Sequence, residues 1–258
     1  MKKEALNIIK IGGNIVENDV LLNDFVVALK EVEGKCIVVH GGGKKATAMA
    51  ESQGIESRMV NGRRITSKPM LDVAVMVYAG LINKNLVAKL QQSSISALGL
   101  TGADMNSILA TKREHAEIDF GYVGDIKKVN VKALDVLLLA GVVPVLAPIT
   151  HDGQGNLLNT NADNIASAVA IAMSEKYYTK LLLCFELPGV FTDIHQAETL
   201  ISEMKAERFK ELANAGAVNG GMLPKLENGF KALAKGVGEI RITDIYHFKG
   251  GGTLLKQR

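Results

Sequence analysis

Five apolar runs rich in β-branched residues punctuate the chain: Leu6–Ile11, Cys36–Val39, Val142–Ala147, Leu181–Phe185 and Ile240–Ile245. They are nearly continuous rather than alternating, which is the pattern of strands buried on both faces of a parallel sheet. Between them, apolar positions recur at helical spacing over Asp19–Glu33, Lys44–Ser52, Lys68–Ser93, Val131–Ala140, Ala162–Ser174, Glu207–Ala215 and Leu226–Lys235. Strands that alternate with helices predict an α/β fold, a three-layer αβα sandwich around a mainly parallel sheet. Within Ile95–Val129 the pattern predicts shorter strands, Ser107–Lys112 among them, and a hairpin near Phe120–Gly124. The longest apolar stretch, Val136–Ile149, contains Gly141, Pro144 and Pro148. It is too short to span a bilayer and reads as a helix end, a glycine stop and a buried strand.

The chain has 258 residues, enough for one large domain or two closely joined lobes. A formal net charge of +3, with lysines and arginines scattered, argues against a nucleic-acid partner. Cys36 and Cys184 both lie inside apolar runs, so they read as buried reduced thiols, which fits the cytoplasm. Met1–Lys10 passes directly into a strand without the apolar core of a leader peptide, and no membrane role is expected. The five histidines have no metal-ligand spacing, and no Ser/His/Asp constellation is evident.

Candidate chemistry begins where the second strand ends, at His40-Gly41-Gly42-Gly43. Bare glycine backbone between a strand and a helix can turn its N–H groups toward an anion. Gly41-Gly42-Gly43-Lys44-Lys45-Ala46 satisfies the dinucleotide pattern G-x-G-x-x-A, but residues 60–66 lack the carboxylate that pattern needs about twenty positions later. An oxyanion loop would need a G-x-S-x-G elbow, which no serine here supplies. A third use, a cradle for phosphate or carboxylate, has a partner: the first strand ends Lys10-Ile11-Gly12-Gly13. Parallel neighbours place both turns at the same carboxyl edge of the sheet, where open α/β folds bind ligands. Two such loops and a lysine suit a transferring phosphoryl group, and no Walker A motif is present.

Other polar clusters join that edge. Asn159-Thr160-Asn161-Ala162-Asp163 precedes a helix and could be a simple cap, although it holds more polar groups than one cap requires. Gly220-Gly221-Met222-Leu223-Pro224-Lys225 is a further glycine turn with a lysine. Arg63-Arg64 could clamp a carboxylate or form a basic surface turn. His40 reads as a supporting residue.

Together these segments resemble the amino acid kinase family, and within it the members that phosphorylate N-acylated glutamate. The resemblance covers essentially the whole chain and rests on five segments: Ile9–Gly13, Val39–Gly43, Asn61–Thr66, Asn159–Asp163 and Gly220–Lys225. It implies ATP-dependent phosphorylation of the γ-carboxylate of an N-acylated glutamate, N-acetyl or N-succinyl, in arginine biosynthesis. It implies that Lys10 and Lys225 contact the transferring phosphoryl group and that Asp163 holds both lysines. Gly12 and Gly13 would serve the phosphoryl group. Gly41, Gly42, Arg64, Asn159 and Asn161 would serve the acyl-glutamate. Glu186, Leu187, Gly189, Gly221 and Met222 would hold ATP, with Mg²⁺ carried mainly by the nucleotide rather than by a protein site. The approximate lobes would be residues 1–175 for acyl-glutamate and 176–258 for ATP. A carboxylate nucleophile is ionised at neutral pH, so such a site needs charge neutralisation and positioning, not a general base.

One departure stands out. Where the family has an aspartate near the nucleotide, this chain has Glu186, followed by Leu187-Pro188-Gly189. A non-catalytic ligand-binding regulator on the same fold is the alternative this leaves, along with another activity of the family. The N-terminal helical extension that accompanies hexamers and arginine feedback in family members does not precede the first strand. A homodimer without that feedback is the expectation.

Overall fold

The computed structural model describes residues 3–60, 63–214, 216 and 222–257. Its strands are β1 (Ala5–Ile11), β2 (Lys35–His40), β3 (Met59–Val60), β4 (Arg63–Arg64), β5 (Ala97–Leu100), β6 (Ile108–Lys112) and β7 (Gly124–Val129). They continue as β8 (Val143–Leu146), β9 (Ile149–His151), β10 (Leu157–Asn159), β11 (Tyr178–Cys184), β12 (Glu203–Lys205), β13 (Glu239–Thr243) and β14 (Thr253–Lys256). The main sheet has eight strands in the order β12-β14-β13-β11-β1-β2-β8-β5. From β13 to β5 every pairing is parallel, and β14 reverses direction against β13. The four apolar runs from Leu6 to Cys184 thus occupy its middle, and β13 carries most of the fifth. Phe185 lies just beyond β11 instead of ending it.

Strand side chains alternate between two cores. Leu6, Ile8, Ile37, Val39, Leu181 and Leu183 face one, with Ile165, Val169 and Met173 of the helix α7 at its centre. Ile9, Ile11, Val38, Leu182 and Cys184 face the other, with Phe25, Leu29, Leu86 and Leu90. Helices therefore cover both faces, and the three-layer αβα expectation holds.

The helices are α1 (Gly13–Glu17), α2 (Asp19–Lys30), α3 (Gly43–Ser52), α4 (Lys68–Ala74), α5 (Asn83–Gln92), α6 (Val131–Leu139), α7 (Ala162–Met173), α8 (Ala206–Asn214) and α9 (Met222–Ala234). Their starts follow local chemistry. Asn18 accepts from Val20 and Leu21 N–H, and Asn130 from Ala133 N–H. Ser67 caps α4, with Pro69 in its first turn, where a missing N–H costs nothing. The pattern over Lys68–Ser93 predicts one helix, and the structure breaks its winding: Val75–Ile82 forms a π-helical segment between α4 and α5. Lys68–Gln92 is 25 residues long and apolar enough to cross a bilayer by composition, but half of its most apolar stretch is buried in the fold. Met70, Val73, Val77, Tyr78 and Ile82 pack there on Ala46 and Ala50 of α3, as in a core helix.

A second sheet, β10-β9-β6-β7, flanks the main one. The hairpin expected near Phe120–Gly124 is not formed there. Instead β6 pairs antiparallel with β7 across a long connection, and within it Gly121 bridges Thr66 while Val123 bridges Asn159. These residues thereby tie the N-terminal half of the site to Asn159.

Candidate active site

The carboxyl ends of β1 and β2 lie side by side, with Ile11 opposite His40. Their glycine turns meet directly: Gly41 N–H donates to the Ile11 carbonyl at 3.0 Å. A side chain on Gly41 would sit 3.3 Å from Gly13 N, and one on Gly13 would sit 3.5 Å from Gly42 N. Gly42 has φ +146°, and a Cβ there would lie 2.2 Å from the Ile82 side chain, with Tyr78 next. Glycine is required at 42 for both reasons. The π-helical segment supplies that wall, so the irregular winding and the glycine turn fit each other. Gly12 has an ordinary φ, and a Cβ on it would meet nothing nearer than the Cys184 carbonyl at 3.8 Å. Neither conformation nor packing demands a glycine at 12.

Lys10 shares the face of β1 that carries Leu6 and Ile8, which is the face covered by α7. Its ammonium lies 2.8 Å from Asp163 Oδ1 in the first turn of α7. Lys225, in the first turn of α9, lies 3.8 Å from Asp163 Oδ2. Both ammoniums also sit over the Phe185 ring, at 4.9 and 4.8 Å from its centre. Burial of Asp163 alone would raise its pKa, but the two lysines outweigh it and hold the carboxyl below its ordinary value. One carboxylate thus fixes two cations above an aromatic face.

A cleft of about 270 Å³ opens between these groups, lined by Lys10, Gly13, Gly41–Gly43, Arg64, Asn159–Asp163 and others. Arg64 is buried and held by neutral oxygens: Nη2 donates to the Gly43 carbonyl at 3.0 Å and to Thr47 Oγ1 at 2.8 Å, and Nη1 to Ser57 Oγ. Asn159 donates through Nδ2 to Thr66 Oγ1 at 3.1 Å. Asn161 caps α7, accepting from Asp163 N–H at 2.8 Å and from Asn164 N–H at 3.1 Å. It performs the capping role as well as lining the cleft.

Beneath the glycine turn, His40 is fully buried. Its Nδ1 pairs with the Gly41 carbonyl at 2.8 Å and its Nε2 with Asn83 Nδ2 at 3.2 Å. Nδ1 therefore donates and Nε2 accepts in a neutral ring. Burial lowers its pKa to about 4, only partly opposed by the Gly41 contact. His40 braces the loop and is not among the residues that line the cleft.

A family model described as the amino acid kinase family matches residues 5–244. The chain belongs to the amino acid kinase family. It is 48% identical over 256 residues to an acetylglutamate kinase of Phocaeicola vulgatus, covering 99% of this chain and 100% of that one. It is 50% identical over 260 residues to an acetylglutamate kinase of Bacteroides thetaiotaomicron, covering 99% and 100%. A crystal structure of a Streptococcus mutans protein superposes with a TM-score of 0.83 at 28% identity, over 98% of this chain and 99% of that one.

Most residues singled out for this kinase family from sequence converge on the cleft: Lys10, Gly13, Gly41, Gly42, Arg64, Asn159, Asn161 and Asp163 line it. Lys225 joins through Asp163. The residues assigned to ATP lie elsewhere. Leu187 is exposed. A Cβ on Gly189 would lie 2.7 Å from Leu200 and Thr253, so packing suffices to require glycine there. Met222 packs against the α7 core, and Gly221 falls outside the described residues. Glu186 accepts a hydrogen bond from Asn14 Nδ2, and Asn14 Oδ1 accepts from Lys44 Nζ at 2.8 Å. These three side chains connect the end of β11 to both glycine turns.

Sequence reasoning missed Arg113, which also lines the cleft. A lone arginine just past β6 carries no local motif, and its relevance comes only from the fold.

Proposed function

We propose that this chain is an ATP-dependent kinase that phosphorylates the γ-carboxylate of an N-acylated L-glutamate, N-acetyl or N-succinyl, in arginine biosynthesis. The observation that carries the reading is the Lys10–Asp163–Lys225 arrangement beside two abutting glycine turns. Near-full-length identity to proteins named acetylglutamate kinase supports the substrate. One oxygen of the γ-carboxylate attacks the γ-phosphorus of ATP, the bond to the bridging oxygen breaks, and ADP leaves. The products are the acyl-glutamyl 5-phosphate and ADP. The nucleophile is already ionised, which accords with a cleft that offers cations and N–H donors rather than a base.

In this reading Lys10 and Lys225 draw off charge that builds on the transferring group, and Asp163 keeps them in register. Gly12 and Gly13 supply backbone donors, Gly12 standing free of any protein neighbour that would require glycine. Gly41 and Gly42 present backbone to the substrate, Arg64 takes the α-carboxylate, and Asn159 with Asn161 takes the amide-bearing end. Glu186, Leu187, Gly189, Gly221 and Met222 border the nucleotide, which occupies the half from about residue 176 onward, with acyl-glutamate in the half before it. Ammonium and N–H donors fit the anionic oxygens of a triphosphate that brings its own Mg²⁺, and the carboxylate in the cleft is engaged by both lysines. Bound Mg²⁺ would supply further neutralisation of phosphate charge. We place the enzyme in the cytoplasm as a homodimer. The two thiols support that compartment: burial pushes Cys36 up to about 12 and raises Cys184 as well, so neither is a reactive thiolate.

ADP release measured with N-acetylglutamate, free glutamate, aspartate, carbamate and UMP tests the reading. Turnover confined to one of the last four would refute it, and binding of acyl-glutamate without turnover would favour the regulator. Lys10→Ala and Lys225→Ala should each lose more than about tenfold in kcat, roughly 1.4 kcal/mol.

A further inference from the structure

The cleft holds one cationic side chain that is left without a role by N-acetylglutamate. Its two carboxylates are accounted for by Arg64 and by the lysine pair at the transfer point. Arg113 is a third cationic site, and its side chain is 10% exposed.

Its surroundings fix both its position and its unused edge. Arg113 N–H donates to the Val123 carbonyl at 2.7 Å, and Val123 bridges Asn159. Arg113 therefore stands next to the residue assigned to the amide-bearing end, with Val123 and Pro148 also lining the cleft. Below the guanidinium lies Phe120, 5.6 Å from its ring centre. One edge of the guanidinium is spent: Nε donates to Asp125 Oδ2 at 3.0 Å and Nη2 to Asp125 Oδ1. Asp125 itself is about half exposed. The other edge is different. Arg113 Nη1 is shielded from solvent and has no hydrogen-bond partner among the described residues. A buried donor without a partner is uncommon, and for a charged group it is expensive. A fixed planar fork with one edge already clamped is suited to receive a carboxylate on the other.

We propose that Arg113 recognises a carboxylate at the far end of the acyl group, so that the preferred substrate is a glutamate N-acylated by a dicarboxylic acid of succinyl length. The inference rests on the acyl-glutamate reading above and narrows its substrate class. Val123 and Pro148 border the methylenes, and Arg113 Nη1 pairs with the terminal carboxylate.

The probe pair is N-succinylglutamate and N-butyrylglutamate, which match in chain length and differ in the terminal charge. ADP release gives kcat/KM for each. The wild-type enzyme is expected to favour succinyl over butyryl by more than tenfold, and also over acetyl. In Arg113→Gln the succinyl-to-butyryl ratio should fall at least tenfold, and Arg113→Lys should retain part of it. The lysine variant also serves if the glutamine variant fails to fold. A wild-type ratio below ten, a preference for acetyl, or a ratio unmoved by either substitution would overturn the proposal and leave the kinase reading intact. No ADP release with any acyl-glutamate would instead bring down the reading beneath it.

Discussion

Replacing Asp163 by asparagine tests the centre of the site most directly, because it removes one charge and almost no volume. Asp163 lies 2.8 Å from the Lys10 ammonium and 3.8 Å from that of Lys225. At an effective dielectric of about 20, unit charges at these separations attract by about 6 and about 4 kcal/mol before desolvation. Desolvation cancels much of that, and removing one member of a buried pair costs about 3–5 kcal/mol in practice. The asparagine oxygen can still accept from Lys10, and Lys225 is less buried, so the loss should lie near about 3 kcal/mol of unfolding free energy. For a chain of this size that is a fall in Tm of about 6–12 °C. The catalytic effect should be of a different kind. Two lysines freed from their common partner still attract phosphate, so the Kd for Mg-ATP by calorimetry should stay within about threefold while kcat drops at least about a hundredfold, roughly 2.7 kcal/mol. That split identifies Asp163 as a positioning residue for the lysines. If kcat stays within tenfold, or if kcat and nucleotide affinity fall together, the lysines do not depend on Asp163 for their catalytic geometry and the argument fails.

The two glycine turns give a contrasting pair. Gly42→Ala must place a Cβ 2.2 Å from Ile82 at φ +146°, and should cost about 2–4 kcal/mol in urea unfolding as well as activity. Gly12→Ala makes only an ordinary contact with the Cys184 carbonyl at 3.8 Å, so its stability should change by less than about 0.5 kcal/mol while kcat falls through the approach of ligand to that backbone. Equal stability losses in the two variants would refute the packing account. His40 makes stability depend on pH. Its folded pKa of about 4 lies below the unfolded value of 6.5, so the unfolded chain binds the extra proton first. The contribution is complete above about 6.5 and is lost as pH falls toward about 4; the gap amounts to about 3 kcal/mol. Urea midpoints at several pH values should slope less in His40→Gln than in wild type, and parallel slopes would contradict the assignment.

What could be read from the sequence divides along a physical line. The middle strands were legible because burial on both faces forces continuous apolar runs, and the two strands at the β12 end of the sheet were not. Glu203-Met204-Lys205 and Thr253–Lys256 have mixed polarity because each is only half enclosed. The Lys68–Ser93 pattern is apolar throughout, and a π-helical segment at Val75–Ile82 leaves no mark in such a pattern. It follows from tertiary packing, in which Tyr78 and Ile82 close over Gly42. Motif residues such as Lys10 and Gly41 stood out because bare glycine after a strand is rare unless something approaches it. Gly189 shows the limit of that argument: a glycine in a similar setting is explained by Leu200 and Thr253 packing on its Cα.

Glu186 and Arg113 show why single-chain reading stops where it does. Glu186 looked like a conservative departure at a nucleotide contact, yet its carboxylate accepts a hydrogen bond from Asn14, and Asn14 in turn engages Lys44. Spacing along the chain could not reveal that contact, since Glu186, Asn14 and Lys44 follow three different strands. Arg113 is the inverse case, a residue with no motif that acquires meaning from its neighbours. Its backbone is fixed by Val123, one guanidinium edge by Asp125, and its position by the bridge from Val123 to Asn159. In the proposed reading the transfer chemistry requires only that the lysines, Asp163 and the glycine turns stay in register at the main sheet. In the proposed reading the acyl end is built from the second sheet, β10-β9-β6-β7. Substitutions there can reset which acyl group is accepted without disturbing phosphoryl transfer, and substrate choice in this chain should therefore be sought around Arg113 and not among the residues that carry the reaction.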